Sequence, residues 1–124
     1  MRQGNGRIYV NWKQMRVTGG QEGQQFEVAV SCSSSKQEFI SRDLSLAKAV
    51  RLALVQILPA GSNLPEVEEH TFKDQRASVS FVGGGQAIGN DRSEPVAILI
   101  ALCIRYNGLR QNGEPELRLE KILG

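Results

Sequence analysis

A run of nine apolar residues from Val96 to Ile104 limits the possible folds of this chain more than any other segment. A helix over this run has no polar face, so it must be covered nearly all round. The run is also too short to span a membrane, which takes about 20 apolar residues. Ser93 can cap such a helix, Pro95 suits its first turn, and Asn107-Gly108 favours a left-handed stop. We therefore predict a buried helix that lies between layers or between subunits.

Alternating apolar residues upstream of this run predict three strands followed by a helix. The strands are predicted over 7–17, 25–32 and 36–40, and the helix over about 44–58. The apolar face of the first strand switches near Lys13 and Gln14, which indicates a bulge or bend. Asp43 or Ser45 can cap the helix, whose broad apolar face suits packing against a sheet.

The same order of elements recurs in the second half of the chain. Strands are predicted over 66–72, 77–81 and 86–88, ahead of the apolar helix. At one constant offset, identical residues of the two halves align: Ile40 with Ile88, Asp43 with Asp91, Ser45 with Ser93, Ala49 with Ala97, Ala53 with Ala101, and Leu54 with Leu102. We therefore predict an internal repeat of a strand-strand-strand-helix unit.

The predicted fold is α+β, with two tandem units whose antiparallel sheets each carry one packed helix. The 124 residues are expected to form a single domain, with units over about 7–60 and 64–108 and a tail over 109–124. The tail can add a strand or short helix to the body, or dock on a partner. A second copy of this chain, packed symmetrically against the first, is the simplest way to bury the apolar helix. We therefore predict a homo-oligomer, a dimer or larger. Its predicted interface residues are Val96, Ile98, Leu99, Ile100, Leu102 and Ile104.

Composition gives little sign of chemistry in this chain. Fifteen basic and 13 acidic residues are too balanced to favour nucleic acid or a membrane as a partner. His70 is the single histidine and has no ligand-spaced neighbour, so we expect no metal, no cofactor and no catalytic residue. Cys32 and Cys103 are expected to be reduced, and the sequence near Arg2 shows no secretory signal. These features predict a cytoplasmic protein that is not an enzyme.

The best candidate binding residues lie in the two segments that lead into the helices. They are Ser41, Arg42, Asp43 and Ser45 in the first unit, and Gly89, Asn90, Asp91, Arg92 and Ser93 in the second. Free amides at a helix N-terminus favour a carboxylate or phosphate, and either arginine can add a charge-assisted contact. The alternative is that these residues only cap the helices and form loops.

The order of the predicted elements and several short sequence segments resemble the C-terminal regulatory (dimerisation) domain of the 2-isopropylmalate synthase family, which citramalate synthases share. The first strand and turn are similar over 8–19, and the next strand over 26–30. Gly89 and Ser93 match the family's second Gly-x-Gly-x-Ser-x-Asp-Ile string, Val96 is similar, and Asp91 and Pro95 depart from it. In the first string, Gly-x-Gly-Pro-Val-Asp-Ala, only Ala47 fits. The resemblance implies a non-catalytic regulatory, allosteric dimer that binds a branched-chain amino acid or related acid between the units.

Two other functions remain open at this point. An assembly subunit of an oligomer or shell would also bury an apolar helix and a leucine-rich tail. Strand-strand-strand-helix is also the core of a double-stranded-RNA-binding domain, which usually places lysines where this chain has Ser93-Glu94-Pro95. A basic sheet face of Arg7, Lys13 and Arg16 would favour RNA.

Overall fold

The computed structural model describes residues 6–32, 37–111 and 113–119, in which it places eight strands and two α-helices. The strands are β1 (Arg7–Val10), β2 (Arg16–Gly19), β3 (Phe26–Ser31), β4 (Glu38–Asp43), β5 (Val67–Lys73), β6 (Arg76–Phe81), β7 (Gln86–Asn90) and β8 (Glu116–Leu119). The helices are α1 (Leu46–Ile57) and α2 (Glu94–Leu109). The predicted α+β class is confirmed.

Two antiparallel three-stranded sheets form the body, in the strand orders β2-β3-β4 and β5-β6-β7. Helix α1 packs on β3 and β4, α2 packs on β6 and β7, and the two helices contact each other. Val28 and Val30 of the first sheet and Val79 and Phe81 of the second lie in the shared core. Each sheet therefore buries one face under its helix; on the other face, which we call the open face, most residues of the edge strands are exposed, although Ala29 and Ser31 of β3 are buried.

The predicted first strand is divided into β1 and β2 by a 3-10 turn over Trp12–Gln14, where the bulge was expected. Val10 of β1 forms an isolated antiparallel bridge with Cys32, the residue that follows β3. The tail supplies β8, which pairs in parallel with β1 in the register Ile8 to Leu117. A parallel pair between the two ends of the chain was not part of the predicted architecture.

The tail is held to α2 by hydrogen bonds to its backbone. Asn107 Nδ2 donates to the Leu117 carbonyl at 2.8 Å, and Leu117 N donates to Asn107 Oδ1 at 2.9 Å. Tyr106 Oη donates to the Pro115 carbonyl at 2.7 Å. Helix α2 continues to Leu109, so the stop predicted at Asn107-Gly108 is wrong. Asn107 instead binds β8 from within the last turns of the helix.

Equivalent positions of the two repeats pack in the same way. At the closest approach of β4 to α1, Ser41 Oγ donates a hydrogen bond to the Ala49 carbonyl. At the equivalent position of β7, Gly89 lies against the Ala97 carbonyl so closely that a Cβ atom would overlap it. The remaining matched positions, Ala53 with Ala101 and Leu54 with Leu102, are fully buried. A small residue at position 41 or 89 is what lets each edge strand reach its helix.

Helix α2 is covered largely by its own chain. Among the predicted interface residues, Val96, Ile98, Leu99 and Leu102 are buried inside the subunit. Their burial needs no second subunit, because the sheet, α1 and β8 already surround that part of the helix. Ile100 is half-buried, and Ile104 is 53% exposed. Only these two of the six offer surface to a partner.

Candidate functional site

The segments that lead into α1 and α2 form the same capping structure. Ser45 N donates to Asp43 Oδ1 at 2.9 Å, and Ser45 Oγ accepts from Lys48 N at 3.3 Å. In the second unit, Ser93 N donates to Asp91 Oδ2 at 2.8 Å, and Ser93 Oγ accepts from Val96 N at 3.4 Å. A carboxylate therefore already lies at each helix N-terminus and would repel an incoming anion there.

In the first unit, the other two predicted site residues are also engaged within the chain. Ser41 donates to the Ala49 carbonyl. The Arg42 guanidinium pairs with Glu27 across the sheet, with 2.9 Å from Nε and 2.7 Å from Nη2 to Oε1. All four predicted residues of this segment therefore make contacts that hold the fold.

The predicted segment of the second unit lies beside the turn that joins β5 to β6. Asp91 N donates to the Gln75 carbonyl at 2.9 Å, and Asn90 is the cross-strand partner of Arg76. Arg92 is exposed, and Gly89 is buried against α2. The segment therefore shares one end of the second sheet with the β5–β6 hairpin.

A concavity of about 260 Å³ lies on the open face of this hairpin. We call this concavity the hairpin pocket. It is lined by Thr71, Lys73, Asp74, Arg76 and Ser78. Lys73 is the direct cross-strand partner of Arg76, and Thr71 is the partner of Ser78. Two exposed cations thus lie side by side, and two hydroxyl groups lie next to them on the same face.

Like charges directly opposite one another destabilise a sheet unless an anion lies between them. Neither Lys73 nor Arg76 forms an ion pair with any described residue. Ser78 Oγ accepts a hydrogen bond from Gln86 Nε2, so its own proton is free to donate. The pocket therefore combines two uncompensated positive charges with a hydroxyl donor, and Asp74 at the turn is its one carboxylate.

The open face of the first sheet provides an internal comparison. Arg16 pairs there with Glu38 at 2.5 Å, and Arg42 pairs with Glu27. These two arginines of the first sheet are thus neutralised by carboxylates of the same sheet, whereas Lys73 and Arg76 of the second sheet form no ion pair with a described residue. This difference makes the second unit the better anion site of the two.

Other reactive side chains are placed in structural contacts. His70 Nε2 lies 2.9 Å from Glu94 Oε2, which ties β5 to the first turn of α2. Burial raises the pKa of the Cys103 thiol to about 12, so it stays protonated at neutral pH and is a poor nucleophile. Within the described ranges, no three His, Cys, Asp or Glu side chains are grouped so that they could hold a metal ion.

The lining residues of the hairpin pocket were missed by the sequence analysis. Their signal is the symmetric spacing Thr71-x-Lys73 and Arg76-x-Ser78 about a two-residue turn. Asp74 and Gln75 adopt positive φ values of 54° and 62°, although neither is the glycine that usually marks such a hairpin. Because the sequence shows no recognisable turn here, the β5–β6 register that places Lys73 opposite Arg76 could not be predicted.

Comparison with protein-family models and with curated protein sequences gives no match for this chain. In the part of the chain that the structure describes, neither helix has the length and apolar character needed to cross a membrane.

Proposed function

We propose that this protein is a non-catalytic module that binds a small organic acid in the hairpin pocket. The observation that carries the proposal is the Lys73–Arg76 pair, which forms no ion pair with a described residue, whereas Arg16 and Arg42 on the open face of the first sheet are both paired with carboxylates. A ligand carboxylate between the two cations would relieve their repulsion and gain charge-assisted hydrogen bonds.

The surface beside the pocket suits an acid with an apolar side chain. Ile88 is the cross-strand partner of Ser78 and is 44% exposed on the same open face. A carboxylate on Arg76 and Lys73 would place a short aliphatic chain near Ile88. A branched-chain amino acid or its 2-oxo acid has this shape, and the resemblance to the regulatory domain of 2-isopropylmalate synthases implies the same class.

Charges elsewhere support a small acid over duplex RNA. Arg7 pairs with Glu116, and Arg16 pairs with Glu38, so two of the three residues of the expected basic sheet face are compensated. Arg51 Nη2 donates to the Leu64 carbonyl at 2.8 Å. These cations are less available to phosphates than an unpaired basic surface would be.

Ligand titration followed by calorimetry and thermal unfolding tests the proposal. Leucine, isoleucine, 4-methyl-2-oxopentanoate and inorganic phosphate are the probes, and binding to the native state raises the unfolding temperature. We expect at least one of the three organic acids to bind. Replacing both Lys73 and Arg76 by Gln should weaken that binding about tenfold or more, since each hydrogen bond to a charged group is worth about 1.5–3 kcal/mol.

The matched control is Arg42→Gln, which removes a cation that Glu27 already neutralises and should leave affinity unchanged. Equal loss with both sets of variants would refute the hairpin pocket as the site. Binding of phosphate alone would identify an unspecific anion site and refute an organic acid ligand. Tight, strongly salt-dependent binding of duplex RNA, with no binding of the acids, would replace the proposal by the nucleic-acid alternative.

A further inference from the structure

The outer strands of the two three-stranded sheets differ in how they are protected from other chains. Natural edge strands carry charges, prolines or bulges that prevent pairing with another sheet. Strand β2 carries a charge at Arg16, β4 at Glu38, Arg42 and Asp43, and β5 at several positions with a bulge between Val67 and Glu69. Strand β7 reads Gln-Ala-Ile-Gly-Asn and has none of these features.

The free edge of β7 has hydrogen-bonding groups that point outward. Phe81 N donates to the Gly85 carbonyl at 3.1 Å, and Asp91 N donates to the Gln75 carbonyl at 2.9 Å. Hydrogen-bonded pairs alternate along an antiparallel ladder, so these two bonds fix which residues of β7 face β6. The backbone groups of the intervening residues face away from the sheet: Gln86, Ile88 and Asn90.

The repeat shows how the first unit closes the same edge. Gln56 Nε2, on α1, donates to the Ile40 carbonyl at 2.9 Å and caps the free edge of β4. The equivalent residues of the second unit are Ile104 on α2 and Ile88 on β7. Isoleucine has no side-chain donor, so Ile104 cannot cap the Ile88 carbonyl, and no other described residue donates to it. The side chains of Ile104 and Ile88 are 53% and 44% exposed.

The sequence of β7 is complementary to itself in an antiparallel pair. Centred on Ile88, Gln86 would lie opposite Asn90 of the partner subunit, and Ala87 opposite Gly89 of the partner subunit. In this register, side-chain amides lie opposite side-chain amides, small residues lie opposite small residues, and Ile88 lies opposite Ile88 of the partner subunit. No like charges are brought together anywhere in this register.

We propose that β7 pairs with β7 of a second copy of this chain and forms a continuous six-stranded antiparallel sheet across a two-fold axis. The pairing would make about six backbone hydrogen bonds, two at each of three pairs. It would place the two α2 helices side by side on one face and cover the exposed Ile104 of each. This interface goes beyond the proposed ligand function and depends on none of the pocket cations.

Sedimentation velocity of the full chain and of three variants tests this interface. Ile104→Gln places in α2 the glutamine that α1 has at the equivalent position, Gln56, where it caps the edge of β4. Position 104 is exposed on the helix and tolerates glutamine. Ile88→Lys places a charge on the edge itself. Ile40→Lys is the matched control, because it makes the same change at the equivalent residue of the capped edge. All four chains are compared by circular dichroism to establish that they fold.

The wild type and Ile40→Lys should sediment with the mass of two chains, and Ile104→Gln and Ile88→Lys with the mass of one. In hydrogen exchange, the amides of Gln86, Ile88 and Asn90 should be protected in the dimer and exchange rapidly in Ile104→Gln. A wild-type monomer at millimolar concentration, an assembly larger than a dimer, or a dimer that survives Ile104→Gln would overturn the proposal. Because the readout is mass, its failure leaves the ligand titration unaffected.

Discussion

Replacing Gly89 by alanine tests the close contact between β7 and α2. A Cβ at Gly89 would overlap the Ala97 carbonyl oxygen and come within 2.8 Å of Ala101 N. Both atoms belong to the backbone of a helix whose Ala97 and Ala101 side chains are fully buried, so neither can rotate away as a flexible side chain could. The strand and the helix must separate to admit the methyl group.

Overpacking of this kind costs about 1–3 kcal/mol. We expect the upper part of that range, about 2–3 kcal/mol, because backbone rather than side-chain atoms must shift. At roughly 4 °C per kcal/mol for a domain of this size, the unfolding temperature should fall by about 8–12 °C. Thermal and urea unfolding followed by circular dichroism measure both quantities.

Ser41→Ala is the matched control, since position 41 is the equivalent of Gly89 in the first unit. It removes the hydrogen bond to the Ala49 carbonyl but adds no atoms, so we expect a loss of only about 0.5–1.5 kcal/mol. If Gly89→Ala unfolds within 2–3 °C of the wild type, β7 does not approach α2 as described.

Two further predictions concern ionisation and thiol reactivity. Hydrogen bonds from Arg118, in β8 itself, and from Arg7, on β1, hold the pKa of Glu116 below its usual value of 4.5; through the Arg7 contact, ionised Glu116 favours the docked β8. That contribution is complete above about pH 4.5 and is lost as the pH falls through the lowered pKa of the folded state. The protection factors of the β8 amides, which correct for the slower intrinsic exchange in acid, should therefore fall as the pH is lowered, and this acid-dependent fall should be absent from Glu116→Gln; an unchanged fall would contradict the pairing. Cys103 should react with a thiol reagent only on unfolding, because burial raises its pKa to about 12. Labelling of native Cys103 as fast as half-buried Cys32 would refute its burial.

Local patterns predicted the parts of the fold that depend on neighbouring residues. The apolar run indicated α2. The candidate caps Asp43 or Ser45 and Ser93 indicated the two helix starts, because capping involves residues only two or three positions apart. The constant offset between Ile40 and Ile88 predicted two units with one element order. These features follow from hydrophobic period and local hydrogen bonding.

Features that depend on distant pairing could not be predicted in this way. Strand β8 pairs with β1 from the other end of the chain, and nothing in the tail specifies that partner. The apolar helix suggested a subunit contact. The sequence does not show that α1 and β8 of the same chain pack against it. Lys73 and Arg76 likewise read as ordinary surface charges until the cross-strand register places them side by side.

The central claim is that the second unit binds an organic acid at Lys73 and Arg76, which form no ion pair with a described residue, and that the first unit, whose Arg16 and Arg42 are paired, does not. Titration of the isotope-labelled protein with 4-methyl-2-oxopentanoate, followed residue by residue in amide NMR spectra, tests it most directly. We predict saturable shifts confined to 71–78 and 88–92, with none over the equivalent segments 16–29 and 40–44 of the first unit. Shifts of equal size in both units, or shifts that survive removal of Lys73 and Arg76, would contradict the account.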